Sequence, residues 1–286
     1  MDRFDRNIRF FGMDGQRILR EAVVAIVGCG GLGQHVIQQL AFLGIRKLIV
    51  IDDEELSETN KNRYVLARHK DAVPGLRKVD IAKRGVELID PTIEVVTVHA
   101  SMPSLQAFQA MKEADVIFGC LDDDGPRLIL NEFALAYDKQ LFDLASDTDN
   151  EGTLIYGGRV AFVGNDHEPG CLVCMDILDM EVVAKFLSND NARRDRADIY
   201  GVEAADLDEA GPSVVSLNGI ISSLGVMEYM LQATGVRPAK RKQEYRGNMG
   251  IVAVRNDIHP VDCHFCNLVR GVGDKANLER YLKGGA

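Results

Sequence analysis

Residues 22–53 have the sequence AVVAIVGCGGLGQHVIQQLAFLGIRKLIVIDD. An apolar run at 23–27 leads into a glycine-rich turn, an amphipathic segment follows at 34–43, and a second apolar run at 47–51 ends on two aspartates. Short apolar runs around an amphipathic segment predict a strand, a turn, a helix and a second strand. That order is the βαβ unit of a parallel sheet, with the glycines where the first strand meets the helix.

The turn has the composition of a phosphate-binding turn. Gly28, Gly30 and Gly33 fit the pattern G-x-G-x-x-G, and Gly31 lies among them. Glycines allow a tight turn, from which the first N–H groups of the following helix can bind a phosphate. Asp52 lies about 20 residues further on, where a carboxylate can reach a ribose hydroxyl. The pattern therefore predicts a nucleotide site, and it leaves open which nucleotide binds.

Alternating strands and helices continue this unit through the first half of the chain. Strands are predicted at 93–98, 115–120 and 140–144, helices at 14–20, 78–88, 105–114 and 128–137, and loops at 54–63 and 121–127. Such alternation predicts an α/β fold with a Rossmann-like, doubly wound and mostly parallel sheet. Ligands of such sheets bind at the carboxyl ends of the strands, where the glycine turn, Asp52 and Asp122 would meet.

The second half has a different character. Predicted elements are one or two antiparallel strands at 153–163, a charged crossover loop at 175–208, an apolar helix at 213–233, a strand at 251–255 and a short helix at 277–283. We expect one domain over residues 1–286, with a nucleotide-binding half at 1–150 and a half at 151–286 that carries the crossover loop.

Bulk properties exclude some classes of protein. The net charge of −10 among 286 residues argues against a nucleic-acid partner, because that affinity comes mostly from Lys and Arg. The most apolar segment, 214–231, contains Ser216, Asn218 and Glu228, which is too polar for a membrane span. The first residues lack the apolar core of a signal peptide. A cytoplasmic protein without a membrane partner is expected.

Two Cys-x-x-Cys pairs predict a metal site. They are Cys171 with Cys174, and Cys263 with Cys266. Four thiolates in two such pairs match the tetrahedral ligand set of a structural Zn²⁺, which would join the end of the chain to its middle. One redox pair, or cysteines that are only buried, are the alternatives.

A polar set marks the other predicted strand ends. Its members are Asn60, Arg63, Lys78, Asp122 and Arg127. Cations that converge on a nucleotide stabilise phosphoryl charge, and a nearby acid can hold Mg²⁺. This set favours phosphoryl chemistry over hydride transfer, although an NAD-dependent oxidoreductase remains an alternative.

The chain resembles the ThiF/MoeB superfamily, the bacterial relatives of ubiquitin-activating enzymes. The matching segments, in the family's order, are RFDRNIRF, VGCGGLG, IDDEELSETNKNR, RKVDIA, CLDDDGPR, GRVAFVGNDHEPGCLVC and CHFC. The resemblance implies an enzyme that binds ATP and Mg²⁺ and adenylates the C-terminal carboxylate of a ubiquitin-like or sulfur-carrier protein, with release of pyrophosphate. Adenylation of a short peptide with a free C-terminus and a non-catalytic adaptor are further alternatives.

The resemblance also implies roles for individual residues. Asp52 would hold the ribose, and Asp122 would serve the metal and the incoming carboxylate. The residues implied to line or contact the phosphates are Gly28, Gly30, Gly31, Gly33, Asn60, Arg63 and Lys78. Arg6 matches an arginine that reaches the ATP site of the other subunit, which implies a homodimer.

The sequence departs from the family at one point. Many members carry a reactive cysteine in the crossover region, whereas residues 175–216 contain none. Cys29 and Cys120 are expected to be structural, so we expect no thioester on the enzyme. The adenylate would pass directly to a sulfur donor, an amine or a partner with its own cysteine. The loop at 175–212 is a candidate recruiting segment for such a sulfur donor or downstream conjugating protein, and a merely solvated loop is the alternative.

Overall fold

The computed structural model describes residues 3–73, 75–149, 154–164, 170–188, 213–255 and 262–282. Its strands are β1 Val23–Val27, β2 Lys47–Ile51, β3 Glu94–Val98, β4 Val116–Gly119, β5 Gln140–Asp149, β6 Ile155–Val163, β7 Lys242–Arg246 and β8 Ile251–Arg255. They form one sheet in the order β3-β2-β1-β4-β5-β6-β7-β8. Pairing is parallel from β3 to β5 and antiparallel from β5 to β8. The predicted mostly parallel sheet with an antiparallel extension is confirmed.

Helices cover both faces of this sheet. They are α1 Asp5–Glu21, α2 Gly31–Leu43, α3 Lys78–Ile89, α4 Leu105–Lys112, α5 Asp124–Ala136, α6 Met180–Leu187 and α7 Val215–Ala233. The side chains of α2, α3 and α7 share one core with one face of the sheet, and those of α4, α5 and α6 share a second core with the other face. Because both faces are covered, all five residues of β1 are buried, which explains its unbroken apolar sequence.

The apolar helix of the second half, α7, is buried on one side, whereas Val215, Ile220 and Met227 are exposed. Its buried side packs against α2 and β5, where two polar residues have internal partners. Ser222 donates to the carbonyl of Leu32 at 2.9 Å, and Glu228 forms an ion pair with Arg237 at 2.5 Å. No helix among the described residues has the length and apolarity that a membrane span requires.

Several predicted boundaries were wrong for local reasons. α1 begins at Asp5 rather than at residue 14, and its two parts meet at Gly12, whose φ is +84°. α5 begins at Asp124, inside the predicted loop 121–127, because the carboxylate of Asp123 accepts the N–H of Gly125 as an N-cap. β5 continues beyond its predicted end at residue 144, because β6 pairs with its extension up to Asp149.

The second half holds two further corrections. β7 has the sequence KQEYR and was not predicted, because its charged residues lack the apolar pattern of a strand. It nevertheless pairs with β6 on one side and β8 on the other. In place of the predicted helix at 277–283 there is a short 3₁₀ turn at Leu278–Tyr281, which follows another at Gly273–Ala276. The predicted crossover loop contains α6, and its residues 189–208 lie outside the described residues.

Candidate functional site

The glycine turn connects β1 to α2 at the carboxyl edge of the sheet. Gly28 has a φ of +92°, and a Cβ there would lie 2.5 Å from the carbonyl oxygen of Cys120. A Cβ on Gly33 would lie 2.0 Å from the carbonyl oxygen of Gly28. Both positions therefore require glycine, and the end of β4 lies directly against the turn. Gly30 is the N-cap of α2, so the turn directs the first N–H groups of that helix outward.

Replacing Gly28 with alanine is expected to destabilise the protein and abolish nucleotide binding. The left-handed backbone alone costs an alanine about 1–2 kcal/mol, and the contact with Cys120 adds to it. Gly235→Ala is a matched control, because Gly235 has a φ of +71° but its Cβ would meet no atom within 4 Å. Urea unfolding and nucleotide titration would compare them. Equal losses of stability in the two variants would contradict the role given to the contact with Cys120.

Asp52 follows β2, and its carboxylate binds the backbone of the glycine turn. Its carboxylate accepts the N–H of Cys29 at 2.7 Å and the N–H of Glu54 at 2.9 Å. Burial raises the pKa of Asp52, and the ammonium of Lys78 and these two N–H groups oppose that shift. Each carboxylate oxygen can accept a second hydrogen bond, so Asp52 remains able to bind a hydroxyl group at this edge.

Lys78, the first residue of α3, lies in the same cluster. Its side chain is 7% exposed, and its ammonium pairs with Glu54 and lies 5.5 Å from the ring centroid of Tyr64. Burial disfavours the charge, but the neighbouring Tyr64 and Asp52 outweigh it, and the pKa of Lys78 is raised. Tyr64 reaches the turn as well, since a Cβ on Gly30 would lie 3.8 Å from its hydroxyl. The cluster therefore holds a permanently charged ammonium beside the glycine turn.

Arg63 and Asn218 cover the other side of the turn. A Cβ on Gly31 would lie 3.3 Å from Cδ of Arg63 and 2.2 Å from Nδ2 of Asn218. Asn218, near the start of α7, accepts a hydrogen bond from Ser146 at 3.0 Å and donates one to Ser213 at 3.1 Å. Sequence reasoning missed Tyr64 and Asn218 as site residues, although Tyr64 follows Arg63 directly.

The remaining predicted residues lie at different distances from the turn. Asn60 accepts the N–H of Ser57 at 3.3 Å and so caps a short 3₁₀ turn; no described contact joins it to the glycines. Asp122 is exposed and follows Leu121, whose nitrogen would lie 3.5 Å from a Cβ on Gly28. Arg6 is exposed on α1, and among the described residues no hydrogen bond or ion pair joins it to the turn.

A chain of buried charges runs from the Asp122 loop into the antiparallel part of the sheet. Arg127 donates to the carbonyl of Leu121 and to Asp124, and its Nε lies 3.5 Å from Asp143. Nη2 of Arg159 on β6 lies 3.8 Å from the other oxygen of Asp143. Asp143 is fully buried. Of these charges, sequence reasoning had singled out only Arg127.

The four predicted metal ligands lie together. Their sulfur atoms are all within 4.8 Å of one another, with Cys171 3.6 Å from Cys174 and 3.7 Å from Cys263, and Cys174 3.6 Å from Cys266. Sulfurs bound tetrahedrally to zinc at about 2.3 Å lie about 3.8 Å apart, whereas a disulfide is about 2.05 Å long. The cluster therefore has the donor set and the spacing for a zinc ion.

The other two cysteines are inaccessible. Cys29 is fully buried within the turn and Cys120 is 9% exposed at the end of β4. Burial raises the pKa of both thiols. A reactive cysteine needs an accessible, stabilised thiolate, so these two have the environment of structural residues.

Comparisons with known proteins agree with this architecture. The model of the ThiF family matches residues 4–260. The molybdopterin-synthase adenylyltransferase of Escherichia coli K12 is 30% identical over 245 residues, which are 85% of this chain and 86% of that protein. The adenylyltransferase and sulfurtransferase MOCS3 of Anopheles gambiae is 35% identical over 130 residues, which are 46% of this chain but only 29% of that protein.

Solved structures show the same fold. E. coli MccB with ATP has a TM-score of 0.70 at 20% identity, and MccB with MccA-N7isoASN has 0.71 at 19%. In both cases the alignment covers 93% of this chain and 75% of the MccB chain. Since the family model spans nearly the whole chain and a curated relative matches over most of its length, the chain belongs to the ThiF family.

Proposed function

We propose that residues 1–286 form one adenylation domain, which transfers AMP from ATP to the C-terminal carboxylate of a ubiquitin-like or sulfur-carrier protein. The observation that carries this proposal is the pair of cations at the glycine turn, buried Lys78 behind it and Arg63 over Gly31. A polyphosphate needs such cations, whereas a nicotinamide ring does not. Relatives named adenylyltransferases favour the same activity over an oxidoreductase or an adaptor.

The reaction requires positioning and charge compensation rather than a side-chain nucleophile. A carboxylate oxygen of the substrate attacks the α-phosphorus, and the bond from that phosphorus to the bridging oxygen of pyrophosphate breaks. Asp52 would hold the ribose, while the N–H groups of α2, Asn60, Arg63 and Lys78 would hold the phosphates. Exposed Asp122 offers the oxygen ligands that Mg²⁺ prefers, at the position where the substrate carboxylate would enter.

The four-cysteine cluster would hold a structural Zn²⁺ in this enzyme. Four thiolates complete the tetrahedral coordination, which leaves no position for a substrate. The ion would supply folding energy by joining residues 263–266 to residues 171–174, and the adenylation chemistry does not need it.

ATP–pyrophosphate exchange on the purified protein tests the proposed function. The panel would contain Gly-Gly-ended carrier proteins and free peptides, and non-reducing mass spectrometry would follow on each reaction. We expect exchange that depends on a carrier, without a carrier–enzyme thioester. A thioester would contradict the structural role of Cys29 and Cys120. ATP binding without exchange would favour an adaptor, and NAD binding without ATP turnover would favour an oxidoreductase.

Adenylation of a peptide is the second candidate, and the likeness to MccB favours it. One of the matching MccB structures contains ATP and another contains MccA-N7isoASN. The exchange panel distinguishes a peptide substrate from a carrier-protein substrate, because it contains both. In either case the acyl group of the adenylate would pass, with release of AMP, to an acceptor bound near residues 175–212, whose described part contains α6.

We propose that the working enzyme is a homodimer with two composite sites. Arg6 and Phe10 lie one turn apart on α1, both are exposed, and Met13 beyond them is 75% exposed. Apolar side chains beside an exposed cation suit an interface that carries Arg6 to the ATP site of a second copy.

Mixing two inactive variants tests this arrangement. Arg6→Ala and Lys78→Ala would each be inactive alone, because every site lacks one cation. Mixed after subunit exchange at equal concentration, half of the dimers would be mixed, each with one intact site, so exchange activity is expected to recover to about a quarter of wild type. A mixture as inactive as its components, with mixed dimers verified by mass, would show that Arg6 acts within its own chain or not at all.

A further inference from the structure

A groove opens beside the proposed adenylation site, over β6 and β7. Its volume is about 580 Å³, and its lining includes Tyr156, Tyr245 and Met249 together with two arginines and two acids, Arg159, Arg246, Asp147 and Glu244. The ring of Tyr156 packs so closely on Gly247 that a Cβ there would lie 2.1 Å from it. The groove is therefore a concave and largely apolar site that carries a few charged side chains, as small-molecule and peptide sites usually do.

Register and strand alternation fix which side chains meet at its base. Arg159 pairs with Ala145 on β5 and with Glu244 on β7. Because alternate residues of a strand share a face, Asp143, Ala145 and Arg159 lie on the face that α5 covers. The base of the groove is thus continuous, through Asp143 and Arg127, with the loop that carries Asp122.

Several polar atoms of the charged residues at this base lack hydrogen bonds. Nε and Nη2 of Arg159, both oxygens of Asp143 and Nε of Arg127 are buried, and none has a hydrogen-bond partner among the described residues. The ion pairs between them are long, at 3.5 and 3.8 Å. Burying two charges is costly unless close contacts and hydrogen bonds compensate for the lost water. A buried ion pair that serves only to stabilise a fold is therefore expected to have both. Buried donors without partners at the base of an open groove indicate that the fold does not use the full hydrogen-bonding capacity of this arginine.

We propose that Arg159 binds an acidic side chain of the substrate's C-terminal segment, which lies in the groove while its terminal carboxylate reaches the Asp122 loop. The proposal rests on the proposed function and specifies its substrate. Arg159 is 22% exposed, so a carboxylate in the groove can reach its guanidinium. An extended segment ending in two glycines would leave the space between Tyr156 and Tyr245 empty. A segment with an acidic side chain before its end would fill it, and its carboxylate would accept charge-assisted hydrogen bonds from Arg159.

The test uses short acetylated peptides with a free C-terminus and ATP–pyrophosphate exchange. The acidic residue is moved along the positions that precede the terminal residue. In each peptide one such position carries Asp or Glu, or Asn or Gln in the matched peptide, and all other side chains are neutral. At one position we expect the acid to lower KM roughly tenfold to a hundredfold relative to its amide, because hydrogen bonds to charged groups are the strong ones. Gly-Gly-ended carriers with and without an acid at that position are measured alongside.

Variants connect the preference to this arginine. Arg159→Gln alone leaves Asp143 short of a partner, so the main variant is Arg159→Gln with Asp143→Asn, which keeps the buried charge balanced. It should lose the preference for the acid, measured as the ratio of KM for the acid peptide to KM for the amide peptide within the same variant. Arg46→Gln is the control, because Arg46 donates to the carbonyl of Glu21 at 3.1 Å beside β2, which three strands separate from β6; it should keep the preference.

Each outcome has a distinct meaning. Exchange that is equal for acid and amide at every position overturns this inference and leaves the proposed function intact. A preference that persists in the double variant places the acid elsewhere and also overturns it. No exchange with any peptide or carrier, despite ATP binding, contradicts the proposed function and this inference with it.

Discussion

Replacing Lys78 with alanine is expected to lower ATP–pyrophosphate exchange by roughly 10²–10³, the usual cost of removing one charge-stabilising group from an active site. The variant loses the buried ammonium beside the glycine turn, the position at which the triphosphate would develop charge. Asp122→Ala should lower exchange by a similar factor for a different reason. It removes the side chain that would bind the metal where the substrate carboxylate enters. Asp122 is exposed, and no hydrogen bond or ion pair within 4 Å joins its carboxylate to another described residue, so its variant should fold normally.

A lysine at the opposite edge of the sheet gives the matched control. Lys47 begins β2 and pairs with Glu94 and Glu113, each at 2.9 Å. Lys47→Ala removes two ion pairs but no group near the turn, so exchange should remain at wild-type rates. If Lys78→Ala and Asp122→Ala exchange like the parent while their circular dichroism is unchanged, the assignment of the site is wrong.

Removing one cysteine of the cluster is expected to destabilise the protein strongly. Cys266→Ser breaks a four-thiolate site, and binding energy for a structural zinc is folding energy. A loss of about 4 kcal/mol would lower Tm by on the order of 10 °C. Metal analysis should find one zinc per chain in the parent and none in the variant. A strong chelator should reproduce the lower Tm in the parent.

Cys120→Ala controls for the loss of a buried thiol as such. Cys120 is buried at the end of β4 and lies outside the cluster. Its variant should keep the zinc and lose only the packing of one sulfur. A parent protein without zinc, or a chelator without effect on Tm, would return the cluster to the alternatives of a redox pair or buried thiols.

The first half of the fold was predictable from sequence because its signals are local. The strand–turn–helix of residues 22–53 has unbroken apolar runs and glycines, and the structure places β1, the turn, α2 and β2 there. The Cys-x-x-Cys spacing likewise predicts four metal ligands from the sequence, and in the structure their sulfur atoms lie together.

Other features depend on partners that no local pattern records. β7 has a charged sequence and becomes a strand because β6 and β8 lie on either side of it. α5 begins before its predicted start because a single aspartate, Asp123, caps it. The site shows the same limit, since Tyr64 and Asn218 reach the glycines from separate elements.

The sequence by itself determined the class of fold, the glycine turn and the four cysteines, because strand, helix, turn and metal-ligand patterns arise among residues near one another in the chain. Only the tertiary structure decided which charges share one site. Asp143 and Arg159 lie on neighbouring antiparallel strands and Arg127 on a helix that packs over them, so their register and the helix position set distances of 3.5 and 3.8 Å. Distances between separate elements depend on packing of the whole core, which no segment of the chain specifies alone.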